Sequence, residues 1–254
     1  MVNKVNELSG KEWLQNSFSI WSGLSKTPEE KALRHPASFP LSLCEKVIKT
    51  FSPKNGNILD PFNGIGSTTK ASEILNRKAL GIDLSVEFCD IARKRIINKK
   101  NIKIIANDNI TELLKLSENH FDLCFTSPPY WDILNMTRSV DNKNIQNYSD
   151  KVNDIGNIND YSVFLTKIND VFLEVHRVLK KGAYCVVNVM DIRKKSEFYP
   201  LHSDLANVMK DIGYIYDDII IWDRQNDYNN MRPLGYPFKF RINKVHEYLM
   251  IFIK

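Results

Sequence analysis

The residues best suited to chemistry form the segment Thr126-Ser127-Pro128-Pro129-Tyr130, which follows a short apolar run. Proline has no backbone N–H and forces the residue before it into an extended conformation, so this backbone is stiff and its carbonyl oxygens find no donors within the chain. These groups suit a planar base with an exocyclic amine, because Ser127 and the Pro128 carbonyl would accept its N–H groups while Tyr130 stacks on its ring. A bare structural turn is the alternative.

A second candidate site is the glycine pair Gly64 and Gly66, directly after the apolar run Asn57–Asp60. Glycine allows a sharp turn and a close approach of a ligand to the backbone, and parallel sheets bind ligands at the carboxyl ends of their strands. A P-loop is excluded because no Gly-Lys-Ser/Thr follows. The dinucleotide fingerprint is excluded because Thr69 stands where its third glycine would be. Taken alone, the pair has a plain turn as its alternative.

Acidic residues follow the next two predicted strands. Asp83 ends the run Ala79–Asp83, and Asp108 comes shortly after the run Ile102–Ala106. A carboxylate at the end of the second strand is placed to accept hydrogen bonds from ribose hydroxyls, with a capping role as the alternative. Three successive strand ends that supply a glycine turn, an acid and a polar cluster predict a nucleoside-type cofactor.

The elements that must position these residues alternate along the chain. Short apolar runs predict strands, and segments with helical spacing lie between most of them. The predicted strands are Asn57–Asp60, Ala79–Asp83, Ile102–Ala106, Phe121–Thr126, Tyr184–Met190, Tyr214–Trp222 and Glu247–Ile253, and the clearest helices are Ser67–Arg77, Val86–Asn98 and Tyr161–Leu179, the last before a Lys181-Gly182 stop. This alternation predicts an α/β fold with a mostly parallel sheet covered on both faces and a terminal antiparallel pair.

Length and composition exclude several classes of protein. The 254 residues are 43% hydrophobic and 26% charged, which is typical of a globular protein with a self-sufficient core. The longest apolar run, Leu249–Ile253, is far too short to cross a bilayer, and residues 1–13 hold no signal-peptide core, so we expect a soluble intracellular protein. The four cysteines are scattered among apolar neighbours, which predicts buried thiols and no metal site.

The net charge of +5 permits a polyanionic partner, and its distribution indicates where that partner would bind. Residues 224–246 interleave basic side chains with aromatic rings, a pattern typical of nucleic-acid-binding surfaces, with a solvated connector as the alternative. The bases of residues 91–103 are interpreted as a solvated helix face, and residues 131–160 are slightly acidic. The bases predicted to contact nucleic acid are Arg224, Arg232, Lys239, Arg241 and Lys244.

These motifs resemble those of the DNA amino-methyltransferases, which act on cytosine N4 or adenine N6. Residues 60–68 resemble the cofactor motif of that family, and residues 126–130 resemble its catalytic motif. The sequence His-Pro-Ala-Ser-Phe-Pro at 35–40 is similar to the segment that closes over the methionine end of the cofactor. Residues 175–180 and 243–248 also match, so the likeness covers most of the chain.

The resemblance implies a seven-stranded, Rossmann-like methyltransferase sheet with S-adenosylmethionine as cofactor, with Asp83 at the ribose and Asp108 near the adenine. Ser at position 127 is typical of the family's cytosine-N4 enzymes, whereas its adenine-N6 enzymes mostly carry Asp or Asn there. The residues implied for the cofactor pocket are Phe39, Pro40, Asp60, Phe62, Gly64, Gly66, Ser67, Asp83, Asp108 and Thr126, and those implied for catalysis are Ser127, Pro128, Pro129 and Tyr130.

We therefore expect a site-specific DNA methyltransferase that modifies cytosine N4 after the base has left the helix, with Tyr130 and Trp131 stacking on the flipped base. One alternative is the same chemistry on adenine N6 or on an amine in RNA. Another, from a different class, is a non-catalytic nucleic-acid-binding subunit. Carbon-5 methylation of cytosine is disfavoured because that reaction needs a nucleophilic cysteine and the chain has no Pro-Cys pair.

The expected domain organisation is a single methyltransferase domain over residues 1–254. It has an N-terminal arm at 1–50 and loop insertions for target binding at 131–160 and 225–246. This division leaves no room for a separate recognition domain of about a hundred residues, so a short target sequence is expected. DNA is the predicted partner, with a homodimer or a cognate restriction nuclease as further candidates, and the expected location is the prokaryotic cytoplasm.

Overall fold

The structure is a computed structural model that describes residues 4–33, 38–132, 154–227 and 233–254. Strands and helices alternate through most of these residues, as the apolar runs predict. The described strands are β1 (Ile20–Trp21), β2 (Asn57–Asp60), β3 (Lys78–Asp83), β4 (Ile102–Ala106), β5 (Phe121–Thr126), β6 (Leu179–Val189), β7 (Ile192–Lys194), β8 (Glu197–Tyr199), β9 (Ile215–Asp223) and β10 (His246–Ile253). The described α-helices are α1 (Gly10–Asn16), α2 (Pro28–Ala32), α3 (Leu41–Phe51), α4 (Ser67–Ile74), α5 (Val86–Arg95), α6 (Asn109–Leu113), α7 (Tyr161–Val178) and α8 (Leu201–Ile212).

Eight of the strands form one sheet in the order β1-β9-β10-β6-β5-β2-β3-β4. Neighbouring strands from β4 to β6 run parallel, whereas β10 is antiparallel to both β6 and β9. The predicted mostly parallel sheet with a terminal antiparallel pair is therefore confirmed. The difference from the predicted seven strands is β1, a two-residue strand that adds to the edge beside β9 and is too short to leave a periodic pattern in the sequence.

Helices cover both faces of the sheet and form two apolar cores. On one face α7 and α8 contribute the buried residues Phe164, Phe172, Leu205 and Met209. On the other face α3 packs Leu43, Val47 and Ile48 against the sheet, together with Ala71 of α4. Burial of such side chains contributes about 1.5–3 kcal/mol each, so the apolar stripes of these helices dictate which way each helix faces. In the described ranges, no helix is long and apolar enough to cross a membrane.

Some boundaries and elements differ from the sequence predictions. Helix α7 ends at Val178 and β6 begins at Leu179, so Gly182 is a left-handed residue inside a strand rather than the predicted helix stop. Helices α3 and α8 are additional to the clearest predicted helices, although both carry amphipathic spacing. The predicted burial of the four cysteines is confirmed, since all of them are buried and free.

Candidate active site

The candidate site lies at the carboxyl edge of the sheet between β2 and β5. Strand order reverses there, because the chain proceeds from β2 to β3 and β4 on one side and from β5 to β6 on the other. Loops that leave two such strands diverge and open a crevice, which is where open α/β sheets bind ligands. The glycine loop follows β2 and the Ser-Pro-Pro-Tyr segment follows β5, so the fold brings the two predicted sites together.

Asp60 and Thr126 join these two strand ends beneath the crevice. The Thr126 hydroxyl donates to Asp60 Oδ1 at 2.6 Å, and the Phe62 backbone N–H donates to the same oxygen at 3.1 Å. Both side chains are buried, and burial raises the pKa of the Asp60 carboxyl to about 6 although the Thr126 and Phe62 donors oppose the shift. The structure thus places these two predicted pocket residues in the wall below the loop.

The glycine loop needs its glycines for backbone conformation and for close packing. Gly64 and Gly66 both adopt left-handed conformations, with φ of 49° and 77°. A Cβ on Gly66 would lie 2.7 Å from the Ala92 side chain, so α5 packs too closely for any other residue. Gly66 is also the N-cap residue of α4, so this helix begins directly at the glycine loop.

Asp83 and Asp108 stand at the carboxyl ends of β3 and β4, next to the glycine loop. Asp83 accepts the Gly64 N–H at 2.7 Å and the Ser85 N–H at 2.9 Å, and Asp108 caps α6 by accepting the Thr111 N–H at 2.8 Å. Both acids remain half-buried, so part of each carboxylate faces outward. Carboxylates beside a tight glycine turn form a suitable acceptor set for the hydroxyl and amino groups of a nucleoside, which the predicted cofactor contains.

The segment 38–40 closes one side of the glycine loop. The Phe39 ring stacks on Phe125 of β5 with centroids 4.9 Å apart, and the Phe39 carbonyl accepts the Ser67 hydroxyl at 3.0 Å. Pro40 is buried and precedes the first turn of α3, while Phe62 is half-buried in the loop itself. These residues therefore lie beside the loop, their role toward a cofactor stays a prediction, and residues 35–37 of the same motif lie outside the described residues.

The Ser127-Pro128-Pro129-Tyr130 tetrapeptide, which is predicted to be catalytic, is bound to a buried polar network that was not predicted from the sequence. The Tyr130 hydroxyl donates to Glu247 at 2.7 Å, and it accepts from Ser127 Oγ at 3.2 Å and from the Asn188 side-chain amide at 2.8 Å. Asn188 and Arg224 both also donate to Glu247. Burial, together with the negative charge of Glu247, raises the pKa of Tyr130 well above its usual value.

A signal for this network existed in the sequence. Glu247 and Asn188 are polar residues inside strands whose other central residues are apolar, and both side chains are buried. Buried ionisable residues in such a position need a partner, and the partner is fixed only by how strands pair. Glu247 lies opposite Trp222 in the β9–β10 register, which brings Arg224 within reach.

The prediction that Trp131 stacks on a flipped base is wrong. Trp131 is only 4% exposed, and its ring packs against Tyr161 and Tyr199 with centroids 5.1 Å and 4.8 Å apart. The Lys194 ammonium lies 3.8 Å from the ring centroid and also binds the Asp132 carboxylate at 2.6 Å. Trp131 has a φ of 52°, so the chain turns sharply after Tyr130 and directs the indole inward.

The basic side chains predicted to contact nucleic acid differ in their surroundings, since some bind other groups of the protein and others face solvent. Arg224 binds Glu247 and Asp227, and its guanidinium lies 4.8 Å from the Trp222 ring centroid, so its charge is already paired within the protein. Arg241 donates to the Ser196 carbonyl at 3.2 Å, and Lys244 lies 4.2 Å from the Phe198 ring centroid. Lys239 is exposed, and Arg232 lies outside the described residues.

The segment 233–245 also exposes four large apolar side chains in alternation. Phe238 and Phe240 are 95% and 93% exposed, and Tyr236 and Ile242 are also largely in solvent. Lys239 and Arg241 alternate with them along the chain. Contiguous exposed apolar residues among bases are typical of binding surfaces rather than of solvated connectors.

Comparison with known families identifies one group of proteins. The sequence model of the DNA methylase family, N6_N4_Mtase, matches residues 2–94 and 121–254. The orphan methyltransferase M.BamHII of Bacillus amyloliquefaciens is 41% identical over 85 residues, which cover 32% of this chain and 32% of that protein. The type II methyltransferase M.HinfI of Haemophilus influenzae is 30% identical over 166 residues, which cover 65% of this chain and 42% of that protein. The chain thus spans less than half the length of either relative.

Solved structures support the fold. TrmN of Thermus thermophilus superimposes with a TM-score of 0.55 at 12% identity, covering 88% of this chain and 51% of that one. Precorrin 8w decarboxylase of Methanobacterium thermoautotrophicum gives a TM-score of 0.53 at 14% identity, covering 91% and 96%. At these identities the likeness concerns the sheet and its helices alone.

Proposed function

The chain belongs to the DNA methylase family of S-adenosylmethionine-dependent amino-methyltransferases, and on that premise we propose that it methylates the exocyclic N4 amine of cytosine in DNA. The observation that carries the proposal is the position of Ser127. Ser127 lies where strand order reverses between β2 and β5, and it directly follows Thr126, whose hydroxyl binds Asp60 below the glycine loop. Serine in this position resembles the cytosine-N4 members of the family.

The cofactor is held by the three strand ends beside the crevice. When bound, S-adenosylmethionine supplies an electrophilic methyl group on a positively charged sulfur. Asp83 would accept the ribose hydroxyls, Asp108 would lie near the adenine, and Gly64 and Gly66 would let the backbone approach closely. Phe39, which stacks on Phe125, would cover the end that carries the methionine.

Ser127 and the Pro128 carbonyl bind the target amine. The lone pair of this amine is delocalised into the cytosine ring, which makes it a poor nucleophile. Hydrogen bonds from both N–H groups to these two acceptors would favour a pyramidal nitrogen, whose lone pair would be free to attack the methyl group in line. The bond between sulfur and the methyl carbon would break as the new N–C bond forms, its electron pair would stay on sulfur in S-adenosylhomocysteine, and the methylated amine would lose one proton to solvent. Tyr130 stacks on the ring and offsets part of the few kcal/mol that flipping costs. Positioning and electrostatics therefore provide most of the rate, without a covalent intermediate on the protein.

DNA binds along the exposed segment 233–245. Lys239 offers a charge to the phosphates, and Phe238 and Phe240 offer stacking surfaces to unpaired bases beside the flipped one. The proposed location is the prokaryotic cytoplasm, where the DNA is. Association with a second copy or with a restriction nuclease remains a prediction.

The second candidate function is the same transfer to adenine N6 or to an amine in RNA, since the family includes adenine-N6 enzymes. The Ser127 and Pro128 acceptors would bind either amine. Nucleoside analysis of DNA and RNA treated with the purified protein and labelled S-adenosylmethionine distinguishes them. We expect N4-methylcytosine in DNA. Predominant N6-methyladenine would contradict the cytosine assignment, and no transfer to any nucleic acid would favour a non-catalytic binding subunit.

A further inference from the structure

A continuous chain of hydrogen bonds links the catalytic serine to a buried carboxylate. Ser127 Oγ contacts the Tyr130 hydroxyl at 3.2 Å, and that hydroxyl contacts Glu247 Oε2 at 2.7 Å. Glu247 is 5% exposed and receives the Arg224 guanidinium on its other oxygen. The segments that carry these residues all meet at the carboxyl edge of the sheet, because β10 begins where β9 ends.

The direction of each hydrogen bond between Ser127, Tyr130 and Glu247 follows from the negative charge of Glu247, the last group of the chain. Glu247 forms an ion pair with Arg224 and accepts the Asn188 amide, and a carboxylate can only accept hydrogen bonds. The single proton of Tyr130 must therefore point toward Glu247. Burial and the adjacent carboxylate raise the pKa of Tyr130 well above its usual value, so the phenol keeps that proton.

Because the Tyr130 proton points toward Glu247, the Tyr130 oxygen can only accept hydrogen bonds from its other neighbours. A phenolic oxygen has two lone pairs, and the Asn188 amide donates to it at 2.8 Å. The remaining contact is with Ser127 Oγ, so the Ser127 proton points toward Tyr130. Both lone pairs of Ser127 are then left for the crevice, where an amine would offer its N–H.

We propose that Glu247 is a positioning residue that acts through Tyr130 to hold Ser127 as a hydrogen-bond acceptor. This inference rests on the proposed amino-methyltransfer. A serine hydroxyl that was free to rotate would also donate to a ring nitrogen or a carbonyl oxygen. A serine whose proton is fixed toward Tyr130 accepts from an amine and repels the oxygen that thymine and uracil carry at the corresponding position. The network therefore selects bases with an exocyclic amine.

A double-mutant cycle on Tyr130 and Glu247 tests this polarity. Tyr130→Phe keeps the ring and removes the link, and Glu247→Gln offers Tyr130 a donor in place of one acceptor. We expect each variant to lower kcat for methyl transfer to DNA about tenfold, with KM for DNA and Kd for S-adenosylmethionine within about twofold of wild type. We expect the double variant to be no slower than the slower single variant, because both changes break the same chain.

Glu197→Gln is the matched control, since Glu197 also accepts a tyrosine hydroxyl, that of Tyr199 at 2.8 Å, but on the exposed hairpin. It should leave kcat within about twofold of wild type. Losses that multiply to about a hundredfold in the double variant would overturn the inference, because Glu247 would then act independently of Tyr130. An unchanged kcat in Tyr130→Phe would overturn it even if Glu247→Gln failed to fold. A wild-type protein without methyl transfer would instead overturn the proposed function.

Discussion

Ser127 is the side chain on which the proposed chemistry depends most directly. It is half-buried at the end of β5, and its hydroxyl contacts Tyr130 rather than the crevice wall formed by Asp60 and Thr126, where the cofactor is proposed to bind. We therefore expect Ser127→Ala to lower turnover about a hundredfold, similar to the loss of one positioned hydrogen bond in other active sites, with cofactor affinity within about twofold. Turnover assays and calorimetric titration with S-adenosylmethionine check both quantities.

Ser196→Ala, at an exposed position in the loop between β7 and β8, is the control for this substitution. It should leave both quantities unchanged. A parallel collapse of cofactor affinity in Ser127→Ala would show that Ser127 contacts the cofactor and not the amine.

Asp60 makes a second prediction at the residue scale, this time for stability against pH. Its pKa is about 6 in the folded protein and near 3.8 when exposed, so the folded state binds the proton more tightly between these values. Stability contributed by the neutral carboxyl is therefore lost as pH rises through this window, by on the order of 3 kcal/mol. The Asp60→Asn variant should show no such dependence at this position, because an amide does not titrate there.

Urea unfolding of wild type and Asp60→Asn at several pH values measures this effect. We expect the free energy of unfolding of Asp60→Asn to gain about 2 kcal/mol relative to wild type between pH 4 and pH 7, whatever its starting value. A difference that stays constant over that range would show that burial does not perturb this carboxyl.

At the scale of elements, the hairpin β7–β8 supports the chain just after the Ser127–Tyr130 segment. Lys194 binds Asp132 at 2.6 Å and lies over the Trp131 ring, and Asp132 is buried. We expect Lys194→Met to lower the free energy of unfolding by about 2–3 kcal/mol, because it leaves a buried carboxylate without its cation; the partial exposure of Lys194 keeps the loss below that of a fully buried pair.

Lys195→Met is the neighbouring control, since Lys195 is exposed. It should change the unfolding free energy by less than about 0.5 kcal/mol. Adding Asp132→Asn to Lys194→Met should recover part of the loss. Equal stability of the two lysine variants would mean that the ion pair does not hold the segment.

The elements themselves were largely predictable because their signals are local. Each of the seven predicted strands appears within a few residues of its expected bounds, since strand periodicity and flanking turns are properties of short segments. Strand β1 was not predictable, because a two-residue strand exists only through its pairing with β9. Gly182 misled the prediction because the glycine that usually ends a helix is here a left-handed residue within β6.

The candidate site was predictable where its residues follow one another in the sequence. The glycine loop and the Ser-Pro-Pro-Tyr segment are continuous motifs, so the side chains of each motif lie close together in any fold. The polar network instead joins three different strands or strand ends, and its contacts depend on the sheet register. Its members are Glu247, Asn188 and Arg224. Trp131 follows the Ser-Pro-Pro-Tyr segment directly, and its side chain points inward because its backbone is left-handed, a conformation that no pattern in the sequence predicts.

At the scale of the whole molecule, the sheet separates the two tasks of the proposed reaction. The residues proposed to face the cofactor end β2, β3 and β4 on one side of the point where strand order reverses, and those proposed to face the amine, with their polar network, end β5, β6 and β9 on the other. The segment 233–245 lies between β9 and β10 and so belongs to the second side. In the proposed complex, DNA that approaches along this segment would reach Ser127 without displacing the cofactor.

This arrangement predicts two separable contributions to DNA affinity. Lys239 and Arg241 bind phosphates in the proposed complex, in which Arg241 exchanges the Ser196 carbonyl for a phosphate. The paired substitutions Lys239→Ala and Arg241→Ala should therefore reduce the slope of log K against log salt by about 1 for each base removed. Phe238→Ala and Phe240→Ala remove stacking surfaces, so they should weaken binding by about 1–3 kcal/mol for each stacked base without changing the slope. Fluorescence anisotropy with labelled duplex DNA across a salt series measures both effects.

The exposed pair Lys99 and Lys100, beside β4 at the opposite end of the sheet, supplies the charge-matched control. Their replacement by alanine removes the same net charge as the Lys239 and Arg241 substitutions, so any effect of global charge appears equally in both. A smaller slope only in the Lys239 and Arg241 variant locates the phosphate contacts on segment 233–245. Equal slopes in the two variants would contradict that location, since affinity would then follow net charge and not the position of the bases.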